Sequence, residues 1–437
     1  MSKYIIQGNR KLSGSVKINS SKNSALGLLA ASLLNQGTTD LYNFPDLQET
    51  KRIIEVLESI GVKIVWAGAR HLRIVPPKKV NISKIDYQIA SRTRAVLLLI
   101  GPLIHQFKNF KLPKSGGCKL GSRTTTPYRY ALEDFGVKIQ SFNKYYKISV
   151  AKNKAKKNPE IVLYESGDTV TECLLYAAAL HPGITVIKYA SANYQVQEVC
   201  HFLQALGVKV ENIGGTTMIV HGLSRINKRV KYYLSEDPIE AMMFISLAAT
   251  TNSTIIIRGC PVDFVELELL KLEKMGYKYQ ILKKYFSKNK KTKLIDIKTL
   301  PSKLTALHEK LYGRPYPGLN IDNLPFFAPI ATQTRGKTLI HDWVYENRAI
   351  YFTELAKLGA NITLADPHRV YIEGPTKLMA NEIMSPPALR PAVIILIAML
   401  AAKGQSILRN VYSIERGYED LDKRLEALGA GIKKTDD

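Results

Sequence analysis

Six times along this chain an apolar run leads into the same short phrase: Ile60-Gly61-Val62-Lys63-Ile64, Phe135-Gly136-Val137-Lys138-Ile139, Leu206-Gly207-Val208-Lys209-Val210, Met275-Gly276-Tyr277-Lys278-Tyr279, Leu358-Gly359-Ala360-Asn361-Ile362 and Leu428-Gly429-Ala430-Gly431-Ile432. Successive glycines stand roughly 70 to 80 residues apart, a period that reads as six copies of one unit. Such a unit cannot bury its apolar face alone and must stack on its neighbours, so the repeat constrains the architecture more than any single element does.

The first copy shows the plan. Residues 23–35 read as a helix with Leu26, Leu29, Ala30 and Leu33 on one stripe, and Gly37 as its C-cap. Residues 38–42 read as a short strand and 47–60 as a second helix with Ile53, Ile54, Val56, Leu57 and Ile60 apolar. Gly61 stops that helix before a strand over 62–65. The turn glycine recurs as Gly183, Gly336 and Gly404, with Asn252 in its place in the fourth copy. Second helices are expected over 196–206, 265–275, 349–358 and 418–428. The run Leu174-Leu175-Tyr176-Ala177-Ala178-Ala179-Leu180 is apolar nearly all round, which predicts a helix buried on every side. Six such helices buried inside sheets imply an α/β chain in two groups of three copies, dividing near Asn227-Lys228-Arg229.

At 437 residues the chain is too long for one core, which agrees with two groups. No run reaches the roughly 18 apolar residues of a membrane span, and the most apolar stretch, 393–402, reads as a buried helix. The start, Met1-Ser2-Lys3-Tyr4-Ile5-Ile6, reads as a strand and not as a signal peptide. Cys118, Cys173, Cys200 and Cys260 show no metal-ligand spacing and no C-x-x-C, so reduced thiols in a cytoplasmic protein are expected, with no metal and no cofactor motif. The net charge of +25 admits an anionic partner, such as a phosphorylated substrate, or a solvated lysine surface. Lysines crowd 151–157 and 283–291, as solvated charge blocks do, without the interleaved stacking aromatics of a nucleic-acid binder. Neither a nucleic-acid nor a membrane partner is expected, and oligomeric state is not legible.

The second copy departs most from the plan. Pro113-Lys114-Ser115-Gly116-Gly117-Cys118-Lys119-Leu120-Gly121-Ser122-Arg123 packs glycines and cations around one cysteine. Electropositive surroundings favour thiolate, paired glycines let backbone amides approach a phosphate, and the same glycines can hinge to exclude water.

Here the chain resembles the enolpyruvyl transferases. The resemblance spans nearly the whole chain and is carried by Ser21-Lys22-Asn23, Gly116-Gly117-Cys118 to Arg123, Pro317-Gly318 with Asp322, Glu346-Asn347-Arg348, Leu389-Arg390 and Arg416-Gly417-Tyr418-Glu419. It implies a two-domain inside-out α/β barrel of the EPSP synthase type, three copies per domain, with the active site in the cleft between domains. Residues 20–229, with the Cys118 loop, would form the first domain, and residues 1–19 with 230–437 the second. It also implies transfer of the enolpyruvyl group of phosphoenolpyruvate to a hydroxyl acceptor, the nearest branch using the 3-hydroxyl of UDP-N-acetylglucosamine in peptidoglycan precursor synthesis.

By this resemblance Cys118 is the acid toward C3 of phosphoenolpyruvate, Asp322 faces the attacking hydroxyl, and Lys22 is catalytic as well as substrate-binding. Lys22, Arg94, Arg123, Arg390 and Arg416 match the cations for phosphoenolpyruvate, where preorganised positive charge stabilises charge redistribution. Asn23, Arg123, Thr124, Thr125, Thr126, Gly167, Asp322 and Arg348 stand where the resemblance places acceptor binding. The residues alone leave simpler roles open: Asp322 or Asn23 as helix caps, and the arginines in structural ion pairs.

Departures from the family pattern cluster on the acceptor side. The family's Pro-Val-Asp-Leu-His is Thr124-Thr125-Thr126-Pro127-Tyr128 here, its Ser-Val-Gly-Ala-Thr is Glu165-Ser166-Gly167-Asp168-Thr169, its Arg-Glu-Pro-Glu is Ala192-Asn193-Tyr194-Gln195, and an aspartate before Leu389-Arg390 is Ala388. Transfer to another acceptor, such as a nucleoside phosphate, and a non-catalytic binding protein of the same fold are the alternatives.

Overall fold

The computed structural model describes residues 2–114 and 124–436; the segment that holds Cys118 and Arg123 lies outside the described residues. The chain divides into two compact units, residues 20–114 with 124–235, and residues 2–19 with 236–436. The division falls at 235/236, slightly beyond the expected 229/230. Strand Val230–Tyr233 runs parallel to Thr39–Tyr42, from Val230 opposite Thr39 to Tyr233 opposite Tyr42, and that ladder ties it to the first unit.

One sheet pattern recurs. In the first unit Thr39–Tyr42 has Val230–Tyr233 parallel on one side and the antiparallel pair His71–Val75 and Lys63–Gly68 on the other. Glu160–Val162, Gly183–Lys188, Thr217–Gly222 and Lys209–Glu211 repeat that order. The second unit has three such sheets. They centre on Ile256–Pro261, Gly336–His341 and Gln405–Arg409, each with one parallel edge strand and an antiparallel pair. In the last of them the chain's first strand, Ser2–Gln7, lies between Gln405–Arg409 and Gly431–Asp436, which is why the N-terminal residues belong with the second unit. The second copy is again the exception. Its sheet has only Asn109–Pro113, Tyr145–Val150 and Val137–Ser141 among the described residues, all antiparallel, and a 3-10 turn at Ile82–Lys84 packs on the edge.

The helices explain why sheets surround them. From Val170 to Ala179 every residue of the Asp168–Ala179 helix is buried, as is every residue of Pro238–Thr251 and all of Leu389–Ala401 from Arg390 to Leu400. A helix with no polar face has nothing to offer solvent, so sheet or helix must cover every side. Each fully buried Leu, Ile or Val contributes about 1.5–3 kcal/mol. Second helices are the amphipathic ones: Gln48–Ser59 buries Ile53, Ile54, Val56 and Leu57 and exposes its charged face.

Local differences from the sequence reading have physical causes. The stretch 349–358 is a 3-10 helix, not an α-helix. The last second helix begins at Leu421 and not at 418, because Asp420 before it takes a left-handed conformation at φ 46°. The repeated glycines Gly61, Gly136, Gly207, Gly276, Gly359 and Gly429 all have positive φ, as do Gly183, Gly336, Gly404 and Asn252. Gly37 does not share their role. The helical segment before it ends at Leu34 with Asn35 as its C-cap, and a Cβ on Gly37 would lie 2.3 Å from the Lys228 carbonyl oxygen. Glycine is needed there for close backbone approach. Gly37→Ala is therefore expected to destabilise the first unit by about 1–3 kcal/mol through overpacking. Gly429→Ala, with φ 88° and open space around its Cβ, should cost only about 1–2 kcal/mol of left-handed strain in the second. Urea unfolding monitored on each unit measures both; an unchanged midpoint for Gly37→Ala would refute the contact.

Candidate active site

In the second unit the loop before the Leu324–Phe326 turn carries Asp322. Asn320 builds it: its Oδ1 accepts the Asp322 backbone N–H at 2.9 Å, a local turn of the kind asparagine favours. Asn323, not Asp322, holds the cap position of the following turn. The Asp322 carboxylate, a quarter exposed, lies between two guanidinium groups, with Arg348 Nη1 at 3.5 Å from Oδ1 and Arg390 Nη2 at 3.7 Å from Oδ2.

Arg348 is 1% exposed. Its Nε and Nη2 donate to the two oxygens of Asp342, itself fully buried, and Nη2 also donates to the Ile321 carbonyl at 2.6 Å. The Tyr345 ring lies 4.2 Å from the guanidinium carbon. Burial pushes the Asp342 carboxyl above its ordinary range and the Arg348 charge opposes that rise. Arg348, expected to bind the acceptor directly, is thus committed to Asp342, Ile321 and Asp322. Its planar fork acts here as a bracket for the Asp322 loop.

Arg390 opens the Leu389–Ala401 helix behind Ala388, which gives no side-chain cap. It is 8% exposed, and its Nη1 donates to the Tyr418 hydroxyl at 2.9 Å. Asp237, which caps Pro238–Thr251 by accepting the Ile239 N–H, faces the same cation; burial pushes its carboxyl up to about 6, against the pull of Arg390. Arg416 is half-buried at the end of Tyr412–Glu415. Gly417 next to it would bring a Cβ within 2.3 Å of Leu389, so the absent side chain lets the Arg416–Tyr418 segment close onto the start of the Arg390 helix.

In the first unit Lys22 and Asn23 open the Lys22–Ala31 helix, and Ser21 Oγ caps it by accepting the Ser24 N–H. A lysine at the positive end of a helix dipole is locally unfavourable. Asn23 caps nothing: its Nδ2 donates to the Tyr194 hydroxyl at 3.0 Å. Arg94 donates to the Thr124 carbonyl at 3.3 Å, while Thr125 and Gly167 occupy the N-cap positions of Thr126–Leu132 and Asp168–Ala179 without a side-chain cap bond.

The departures from the family pattern meet. Tyr128 donates its hydroxyl hydrogen to Thr169 Oγ1 at 2.6 Å. Ser191 Oγ and Asn193 Nδ2 donate to the two oxygens of Asp168 at 2.5 and 3.0 Å. Asp168 therefore turns toward the segment before Tyr194–Leu206, and Glu165 is exposed. One turn on, Glu172 is buried and bonded by Gln195; burial first, then the Asp168 charge, pushes its carboxyl well above the ordinary range. Segments 124–128, 165–169 and 192–195 are thus one hydrogen-bonded cluster. Nothing in the sequence joins these segments, because hydrogen-bond pairing across 25 to 41 residues leaves no periodic signal. Sequence reading also passes over Glu268 and Asp342, whose sign is a carboxylate in an otherwise apolar stripe or strand end.

The model of the family "EPSP synthase (3-phosphoshikimate 1-carboxyvinyltransferase)" matches residues 6–425. The UDP-N-acetylglucosamine 1-carboxyvinyltransferase of Bradyrhizobium diazoefficiens is 32% identical over 99% of this chain and 98% of its own length. That of Treponema denticola is 32% identical over 99% of each. Among solved structures, the enolpyruvyl transferase NikO from Streptomyces tendae superposes with a TM-score of 0.83 at 21% identity over 99% of both chains, and EPSP synthase from Acinetobacter baumannii with 0.79 at 17% over the whole of both. These likenesses give the fold: two-domain, mixed α/β, of the EPSP synthase type. A family match over nearly the whole length, with relatives above 30% identity, means that the chain belongs to the EPSP synthase family of enolpyruvyl (1-carboxyvinyl) transferases.

Proposed function

We propose that this protein transfers the enolpyruvyl group of phosphoenolpyruvate to the 3-hydroxyl of UDP-N-acetylglucosamine, releasing phosphate, in cytoplasmic peptidoglycan precursor synthesis. Full-length relatives of that name support the acceptor. The observation that carries the chemistry is Asp322 held between Arg348 and Arg390. A base must present one oxygen in a fixed direction to a hydroxyl, and two ion pairs and a loop turn fix this carboxylate.

In the proposed reaction Asp322 takes the proton of the acceptor hydroxyl as its oxygen bonds to C2 of phosphoenolpyruvate. Cys118 delivers a proton to C3. Loss of phosphate from C2 and of a proton from C3 then restores the double bond in the product. Lys22, Arg94, Arg123, Arg390 and Arg416 are the proposed cations for the phosphate and carboxylate, with electrostatic stabilisation the largest contribution. Thr124, Thr125, Thr126, Gly167 and Asn23 are proposed for the acceptor. Arg348 is reassigned to orienting Asp322, since its donors are engaged inside the protein.

Phosphate release from phosphoenolpyruvate, followed with a panel of hydroxyl acceptors, tests the function. Turnover with UDP-N-acetylglucosamine is expected; turnover with another acceptor only would reassign the substrate, and none with any acceptor would sink the transferase reading. Cys118→Ala is expected to lower kcat by about 10²–10⁴-fold and to abolish inactivation by the epoxide alkylator fosfomycin. Unchanged kinetics and unchanged fosfomycin sensitivity would remove Cys118 from the mechanism. Arg348→Ala leaves Asp342 buried without its cation, so a loss of about 3–5 kcal/mol is expected along with activity. Arg348→Ala with wild-type thermal stability would contradict the bracket.

A further inference from the structure

We infer that Glu268 is a positioning residue for Asp322, holding from the Glu266–Lys274 helix the loop that carries the proposed base. The inference rests on the reading of Asp322 given above. Glu268 is 2% exposed and lies on the stripe where its helix buries Leu269 and Leu272. A carboxylate at such a place costs far more than an apolar residue unless it is hydrogen-bonded. Its Oε1 accepts two hydrogen bonds, from the Asn320 backbone N–H at 3.2 Å and from Asn323 Nδ2 at 2.8 Å.

The two donors flank Asp322. Asn323 is fully buried, so its amide is fixed by Glu268 and by packing. Asn320 passes the constraint on, because the backbone that Glu268 holds carries the Oδ1 that accepts the Asp322 N–H. From the other side Arg348 takes the Ile321 carbonyl. Residues 320, 321, 322 and 323 each have a polar tie, and Asn320 and Asn323 are both tied to Glu268. Burial pushes the Glu268 carboxyl upward, opposed chiefly by the Asn323 bond. Since both bonds converge on one oxygen, a glutamine side chain can keep both by placing its carbonyl there. Displacing a catalytic group by about 1 Å can cost about 10²-fold in rate. Glu268 touches no reacting atom, so its effect must pass through Asp322.

Compare Glu268→Gln, Glu268→Leu and wild type in three measurements: amide hydrogen exchange over 319–324, kcat and KM per folded enzyme, and a double-mutant cycle with Asp322→Asn. Glu268→Leu is expected to speed exchange in that loop and to lower kcat roughly ten- to a hundredfold with KM for phosphoenolpyruvate little changed. Glu268→Gln should restore both to within about threefold of wild type, by keeping the acceptor oxygen. On the Asp322→Asn background, Glu268→Leu should cause little further loss. Additive losses, or a Glu268→Leu enzyme that keeps wild-type kcat and loop exchange, would overturn the inference. If Glu268→Leu does not fold, Asn323→Ala removes the same bond from the loop side and takes its place. If the wild type turns over no acceptor, the transferase reading fails by itself, and the exchange comparison alone decides whether Glu268 holds the loop.

Discussion

Helices without a polar face govern this structure. Pro238–Thr251, and all but the end residues of Asp168–Ala179 and Leu389–Ala401, are buried and mostly apolar on every side, so no orientation of the helix satisfies water. Each must be enclosed, and short sheets of three or four strands do the enclosing. The parallel edge strands Val230–Tyr233 and Ser15–Lys17 each bring a distant segment to a sheet whose antiparallel pair is a local hairpin. Enclosure also explains why the first strand of the chain lies among the last, where Ser2–Gln7 completes the sheet of the final copy.

Charge enters this apolar frame only where it is paired. Arg348 and Asp342 are both fully buried and satisfy each other through a two-point contact. An isolated ion at such depth would be costly, whereas a hydrogen-bonded pair is tolerated and fixes geometry. The consequence reaches Asp322 through Ile321, and Glu268 acts on the same loop from another helix. Rigid support behind Asp322 is what its proposed role as the base requires.

Much of this was legible beforehand. The repeated glycines mark helix ends by their positive φ, and the all-apolar run 174–180 announced a helix enclosed on all sides. Gly37 was misread, since sequence cannot distinguish a glycine needed for φ from one needed for closeness; only the Lys228 carbonyl beside it tells which. Arg348 was placed correctly in a motif but its burial was not visible. The three altered segments of the first unit looked like separate departures until Tyr128–Thr169 and Ser191–Asp168 joined them. Each supplies another's hydrogen-bond partner.

By itself, then, the sequence determined the α/β class, the glycine helix stops and the family, because periodicity and backbone conformation are local properties of residue order. Tertiary structure alone decided which of the matched residues are exposed and which are brackets. It paired Asp322 with Arg348 and Arg390, set Glu268 and Asn323 behind it, and gathered 124–128, 165–169 and 192–195 into one cluster. These pairings join residues tens of positions apart, and their energies depend on burial, which no stretch of sequence contains.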